Sequence, residues 1–92
     1  MRIRWTEPAV QDFTRICDYL DERGGVRVAH RVALAIFGGI TSLKDFPRRG
    51  RPGRETGTRE LVFTRLPYIV VYRSGDDAVE VLRIMHGAQD WP

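Results

Sequence analysis

Apolar and polar residues alternate along the last third of the chain in a pattern that predicts three strands. β-Branched and aromatic residues are concentrated at positions 61–63, 68–73 and 79–85, with short segments rich in proline, glycine and aspartate between them. Runs of this kind, joined by short turns, are typical of antiparallel strands. Positions 68–72 are apolar without interruption, so we expect this run to be the central strand, covered on both faces.

The pattern before these strands predicts one more strand and two helices. Arg2–Trp5 alternates charged and apolar residues, which indicates a short strand with one buried face. Thr6 is a suitable N-cap for a first helix that ends near Arg23, because Gly24 and Gly25 follow as a stop signal. A second helix starts around Val26. Its apolar stripe comprises Ala29, Val32, Ala33, Ile36, Ile40 and Leu43.

The element order is therefore β-α-α-β-β-β, an α+β fold in which a helical hairpin packs on a mainly antiparallel four-stranded sheet. Ninety-two residues make a single domain, 1–92. Gly38 and Gly39 leave two alternatives for the second helix, one bent helix or two shorter ones. Residues 46–57 lack periodicity and are rich in arginine, glycine and proline, which predicts a loop.

Charge is concentrated in the middle of the chain. The formal net charge is +3, yet residues 44–65 alone carry seven basic side chains against Asp45, Glu55 and Glu60. Such a segment suits a polyanion or an acidic protein partner. The basic residues are Lys44, Arg48, Arg49, Arg51, Arg54, Arg59 and Arg65.

Other classes of function find little support in the composition. Cys17 is the single cysteine, so no intrachain disulfide forms, and its place among apolar helix positions favours the core. Two distant histidines and one cysteine make no metal-ligand set, and we expect neither a metal nor a cofactor. No apolar run approaches the length of a membrane span and no signal sequence precedes the first strand, so we expect a cytoplasmic protein without membrane contact.

Four residues on the strands and turns are candidates for a functional site that faces an anionic target. Arg59, Arg65 and Arg83 are expected near one another, and guanidinium groups bind phosphate or carboxylate with two hydrogen bonds. Alternatively, Arg83 pairs with Glu60 or Glu80 on a neighbouring strand. His86 has an unperturbed pKa near neutrality that suits a general base, although a histidine at a strand end also serves structural hydrogen bonding.

Five further residues are candidates for contact with a target. Arg48, Arg49, Arg51 and Arg54 in the central loop either meet a polyanion or are simply solvated. Trp91 either packs near one end of the sheet or is an exposed anchor for a partner. Tyr68 and Tyr72 share one face of the central strand, where we expect them to be core residues with hydrogen-bonded hydroxyls.

Three stretches of the chain carry a resemblance to a known family. They are Arg-Glu-Leu at 59–61, Leu-Pro-Tyr-Ile-Val-Val-Tyr-Arg at 66–73 and Leu-Arg-Ile-Met-His-Gly-Ala-Gln-Asp-Trp-Pro at 82–92. With the β-α-α-β-β-β order, they resemble the RelE/ParE superfamily of toxins from bacterial type II toxin–antitoxin systems. The resemblance implies a cytoplasmic toxin that a cognate antitoxin neutralises in a hetero-oligomeric complex. Its target would be mRNA on the ribosome, as for RelE-like members, or DNA gyrase, as for ParE-like members.

Departures from the RelE-like pattern favour the ParE-like branch. RelE-like members place lysines on the strand at 59–63, where this chain has Arg59 and Glu60. They place an arginine after the tyrosine that opens the central strand, where Ile69 stands here, and a tyrosine near the C-terminus, where Trp91 stands here. A RelE-like endoribonuclease using Arg59, Arg65, Arg83 and His86 is the alternative. A plain basic nucleic-acid-binding module is a third reading, outside the family.

Overall fold

The chain follows the expected element order with one strand added. A computed structural model describes residues 1–87. The elements are β1 (Arg2–Trp5), α1 (Glu7–Gly24), α2 (Val26–Ser42), β2 (Arg51–Pro52), β3 (Arg59–Val62), β4 (Tyr68–Ser74) and β5 (Ala78–His86). The α+β class and the helical hairpin predicted from the sequence are confirmed.

The strands of the described range form one mixed sheet in the order β1-β5-β4-β3-β2. β1 runs parallel to β5, and the other neighbouring pairs are antiparallel. β4 is the middle strand, as its uninterrupted apolar run predicted. The register shifts between Val71 and Tyr72, so Leu82 of β5 has no partner on β4 and forms a β-bulge.

The sheet has five strands rather than the four expected, because the segment predicted as a loop contains β2. Arg51 pairs with Glu60, and Pro52 pairs with Arg59. Proline is tolerated in a strand at the edge of a sheet, where its missing N–H need not serve a ladder. Arg51 also donates two hydrogen bonds to Glu60 Oε1, at 3.0 Å from Nε and 2.8 Å from Nη2. A two-residue strand held by an ion pair has no hydrophobic periodicity to reveal it.

The capping residues at both ends of α1 act as their types predict. Thr6 Oγ1 accepts a hydrogen bond from the Ala9 amide at 3.2 Å and donates one to Leu82 O at 2.9 Å. The N-cap therefore also fastens the helix to β5. α1 ends at Gly24, and Gly25 alone connects it to α2 with a φ of 88°. Glycine suits this left-handed conformation because it has no Cβ to clash with the backbone.

α2 is a single helix, which decides between the two alternatives that its glycine pair left open. The expected stripe is buried at Ala29, Val32, Ile36, Ile40 and Leu43. The two glycines differ in their surroundings. A Cβ on Gly39 would lie 2.5 Å from Cε1 of Phe63, whereas nothing lies within 4 Å of a Cβ on Gly38. Gly39 therefore allows the helix to pack closely against the sheet, and Gly38 has no such role in the described range.

Alanine at these two glycines is expected to have different effects on stability. Gly38→Ala should raise the free energy of unfolding by about 1 kcal/mol, since alanine in an open helix position loses less backbone entropy. At Gly39 the same gain is offset by displacement of the Phe63 ring. Gly39→Ala should therefore be about 1–2 kcal/mol less stable than Gly38→Ala. Chemical denaturation of both variants measures the difference, and equal stabilities would contradict the close contact.

The hydrophobic core lies between the helical hairpin and one face of the sheet. Alternate β4 residues, Tyr68, Val70 and Tyr72, contribute to it together with Val79 and Val81 of β5. The β4 residues that alternate with these, Ile69 and Val71, belong to what we call the outer sheet face. Its cross-strand rows are Glu60, Val71 and Arg83, and Val62, Ile69 and Met85. Val71 is only 1% exposed, so β4 is covered on both faces, as its sequence predicted.

Candidate functional site

A groove of about 650 Å³ opens between α1 and the second half of β5. Its described lining combines cationic, aromatic and imidazole side chains. The polar and aromatic members are Asp12, Arg15, Tyr19, Tyr68, Arg83 and His86. Two of the four residues predicted for a site that faces an anionic target, Arg83 and His86, therefore lie in the same groove.

Asp12 and Arg83 form the ion pair at the base of this groove. Arg83 donates from Nε to Asp12 Oδ2 at 2.7 Å and from Nη2 to Asp12 Oδ1 at 3.0 Å. Asp12 Oδ2 also accepts the backbone amide of Ile84 at 2.9 Å. β1 ends at Trp5, opposite Val81, so it cannot pair with this part of β5. The Asp12 carboxylate takes the place of a strand there and joins α1 to β5.

The electrostatics of the groove favour binding by fixed charge. Hydrogen bonding of the Arg83 guanidinium to the Asp12 carboxylate raises the pKa of Arg83 above its ordinary value. Burial raises the pKa of the Tyr68 hydroxyl, which therefore stays protonated at neutral pH and is no base. Burial, and secondly the charge of Asp18, raise the pKa of the Cys17 thiol. A protonated thiol is a poor nucleophile, and Cys17 is half-buried on α1 rather than fully buried in the core as predicted.

His86 ends β5 at the rim of the groove and is exposed. It pairs with Tyr68 across the β4–β5 ladder, and the two rings meet edge to face with centroids 5.7 Å apart. Tyr68 is 7% exposed and belongs to the core, as expected. The imidazole is thus placed by strand pairing and by an aromatic contact, next to the cationic side chains of the groove.

Arg59 and Tyr72 anchor the segment that leads from α2 to β2. The Tyr72 hydroxyl donates to Pro47 O and accepts from the Gly50 amide, both at 2.8 Å. Arg59 Nη1 donates to Gly50 O at 2.7 Å and to Arg48 O at 3.4 Å. The expected hydrogen bonding of the Tyr72 hydroxyl is therefore present. The Arg59 guanidinium thus donates to backbone carbonyls of its own chain.

The four arginines of the central segment differ in their surroundings. Arg51 forms a salt bridge with Glu60, whose side chain is 7% exposed. Arg49 donates to Ser42 Oγ at 2.6 Å, which is a neutral partner. Arg48 and Arg54 are exposed, and Arg54 has a further contact in the fold. Trp91, the fifth predicted target contact, lies outside the described residues.

The expectation that Arg59, Arg65 and Arg83 stand near one another is wrong for the pair Arg59 and Arg83. Arg59 lies opposite Tyr72 and Arg83 lies opposite Val71, one position away along β4. Successive strand residues point to opposite faces, so these two side chains leave the sheet in opposite directions. Arg65 is exposed in the turn after β3. Arg83 also pairs with Asp12 rather than with Glu60 or Glu80, because α1 covers the β5 edge beside it.

Two residues with notable surroundings, Asp12 in the groove and Phe46 after α2, were not singled out from the sequence. Asp12 is 6% exposed and stands between Ala9 and Phe13, at the helical spacing of the α1 core positions. A carboxylate at that spacing was the signal that could have identified it. Phe46 is 65% exposed, although it adjoins an anchored backbone. Its exposure could not be read from a loop sequence.

Residues 1–87 contain neither a membrane-spanning helix nor a cluster of metal-binding side chains. Neither helix in this range is long and apolar enough to cross a membrane. The same range holds no group of three or more histidine, cysteine, aspartate or glutamate side chains that could bind a metal ion.

The helical hairpin on a mixed sheet is the fold of a known class of toxin. The family described as the ParE toxin of the type II toxin–antitoxin system, parDE, matches residues 3–91. The chain therefore belongs to the ParE toxin family, within the superfamily that its C-terminal motifs resemble.

Particular relatives agree with this assignment. Toxin Y4kP of Sinorhizobium fredii is 43% identical over 91 residues, which cover 99% of this chain and 93% of that protein. Toxin RelE2 of Caulobacter vibrioides is 36% identical over 88 residues, covering 96% and 97%. A solved structure of the chromosomal ParDE system from P. aeruginosa matches with a TM-score of 0.86 at 26% identity, covering 94% of this chain and 95% of that one. Names from both branches occur among the relatives, so names alone do not define the target.

Proposed function

We propose that this protein is the toxin of a type II toxin–antitoxin pair and inhibits growth in the cytoplasm by acting on DNA gyrase. One apolar row of the outer sheet face carries this proposal. Ile69, at the position where RelE-like members place an arginine, lies in a row between Val62 and Met85. Cleavage of RNA without a metal needs a base, an acid and cations around one phosphate. The apolar row supplies none of these groups.

The bonding of the basic residues supports the same proposal. Arg83 is committed to Asp12 through two hydrogen bonds. Arg59 bonds to backbone carbonyls, and its strand position directs it away from Arg83. A set of guanidinium groups that converge on a single phosphate is therefore not formed by these two residues. Binding to a protein target places no such demand on them.

Neutralisation by a cognate antitoxin, in a hetero-oligomeric complex, is the second part of the proposal. The similar P. aeruginosa structure is of a ParDE toxin–antitoxin system. Leu34 and Phe37 of α2 are 59% and 54% exposed, which leaves an apolar strip on the hairpin. α2 also carries Arg27, His30 and Arg31 but no acidic residue. An acidic amphipathic segment of an antitoxin would match both the apolar strip and its charge.

A ribosome-dependent endoribonuclease is the second candidate function. Arg83 and His86 line one groove together with Tyr68, which places a cation and a possible base side by side. One relative bears the name toxin RelE2. On this candidate, Arg83 and His86 would act on the RNA backbone, and Arg59 leaves the opposite face of the sheet.

Parallel assays on one preparation of toxin distinguish the two candidates. The toxin is purified with its antitoxin, separated from it and refolded. We expect the free toxin to inhibit ATP-dependent supercoiling of relaxed plasmid by purified gyrase, and to leave mRNA on translating ribosomes intact. The toxin–antitoxin complex serves as the control and should inhibit neither. Cleavage of mRNA at codon positions without any effect on supercoiling would contradict the proposal and favour the second candidate.

A further inference from the structure

An apolar depression of about 680 Å³ lies just beyond the C-terminus of α2. We call it the Phe46 surface. Its described lining consists of Ser42, Asp45, Phe46, Pro47, Arg48 and Arg49. Phe46 is 65% exposed, the largest exposed fraction among the aromatic side chains of residues 1–87. The depression is separate from the groove beside β5, with which it shares none of these residues.

Hydrogen bonds hold the backbone beneath Phe46 on both sides. The Phe46 amide donates to Ser42 O at 3.0 Å, and the Arg49 amide donates to Phe46 O at 3.0 Å. Tyr72 and Arg59 then fix the carbonyls of Pro47 and Arg48. The backbone that carries the exposed ring is therefore fixed before any partner arrives. A preorganised backbone loses less entropy on binding than a mobile one.

Positive charge surrounds the exposed ring. Within residues 1–87, neither Arg48 nor Arg49 forms a salt bridge. In the same range, the Arg49 side chain donates only to the neutral Ser42 hydroxyl. Lys44, which precedes Asp45 in the chain, is a third exposed basic residue of this segment, against the single carboxylate of Asp45. Aromatic and arginine side chains are the residues that most often dominate binding at protein interfaces.

We propose that the Phe46 surface is where the toxin docks on its protein target. The partner it fits is an acidic protein surface with an apolar recess for the Phe46 ring and carboxylates opposite Arg48 and Arg49. This inference rests on the proposed function, in which the target is a protein. Asp45 within the depression would repel a phosphate chain, whereas a protein partner can place a neutral or basic group there.

The test compares two altered toxins with a charge-matched control. Phe46→Ala removes the ring, and the double variant Arg48→Glu/Arg49→Glu reverses both charges. The control Arg4→Glu/Arg23→Glu makes the same change of charge at two exposed positions elsewhere. Each toxin is made with its antitoxin, and co-purification reports folding and antitoxin binding. Inhibition of gyrase supercoiling and of growth is then measured for each free toxin.

We expect both Phe46-surface variants to co-purify with the antitoxin and to need about tenfold or more toxin for half-inhibition. The control should inhibit as wild type does. Equal potency of all toxins would overturn the inference and leave the proposed function standing. Loss of antitoxin binding by the two variants alone would assign the surface to the antitoxin and overturn it as well.

Two further outcomes separate this inference from the proposed function. If wild type does not inhibit gyrase, the proposed function fails, and growth inhibition alone then tests the surface. Loss of toxicity in both variants would keep the docking inference for another protein target, and retained toxicity would overturn it. If Phe46→Ala is fully potent and only the charge reversal is inactive, the contact is with a polyanion such as RNA, and the inference of a protein partner is wrong.

Discussion

Replacing Asp12 with alanine is expected to lower the free energy of unfolding by about 3 kcal/mol. The change removes the partner of Arg83 and leaves the buried amide of Ile84 without an acceptor. Loss of one member of a buried ion pair costs about 3–5 kcal/mol. The lower value applies here because the Arg83 side chain is 34% exposed, so water can solvate the charge that is left. Urea denaturation of the free toxin, followed by circular dichroism, measures the loss.

Asp18→Ala is the matched control for this prediction. Asp18 lies on the same helix and is exposed, so its loss should change stability by less than about 0.5 kcal/mol. Asp12→Asn should fall between the two, since the amide oxygen still accepts from Ile84 but no longer carries charge. If Asp12→Ala were as stable as Asp18→Ala, the carboxylate would not be what joins α1 to β5.

Removing the hydroxyl of Tyr72 is expected to cost about 2 kcal/mol. Tyr72→Phe keeps the buried ring but leaves the Gly50 amide and the Pro47 carbonyl without the bonds that the hydroxyl supplies. A buried polar group that loses its partner costs about 1–3 kcal/mol. Because the same bonds hold the segment beneath Phe46, hydrogen exchange at the Gly50 amide should also become much faster in the variant.

Tyr19→Phe provides the comparison. Because Tyr19 is 51% exposed, removal of its hydroxyl should cost little stability. Denaturation measures the stability of both variants, and exchange followed by NMR or mass spectrometry reports on Gly50. Equally fast exchange of the Gly50 amide in wild type and Tyr72→Phe would show that Tyr72 does not hold this segment.

The helices and the three long strands could be predicted because their stability comes from burial, which leaves a period in the sequence. The run at 68–72 and the α2 stripe are the clearest cases. β2 could not be predicted, since Arg51 and Pro52 carry no apolar signal and gain their conformation from Glu60 and Arg59 on the neighbouring strand. For the same reason β3 begins at Arg59, earlier than its apolar residues indicate.

The candidate site was less predictable than the fold. Which arginines converge depends on strand register. The bulge opposite Val71 and Tyr72 shifts that register by one residue. No turn motif in the sequence predicts this shift. Arg83 and His86 were correctly expected on the last strand, but the partner of Arg83 comes from a helix 71 positions away. Side-chain pairs of such long sequence separation have no local signature.

The pairing of β1 with β5 has a consequence for how the toxin is made. Arg2 lies beside Ala78 and Trp5 beside Val81, so the start of the chain finds its place only when the last strand is available. Pairing between residues this far apart in the sequence requires closure of a long loop, which slows folding. A nascent chain in which residues 78–81 have not yet left the ribosome therefore lacks the partner of its first strand.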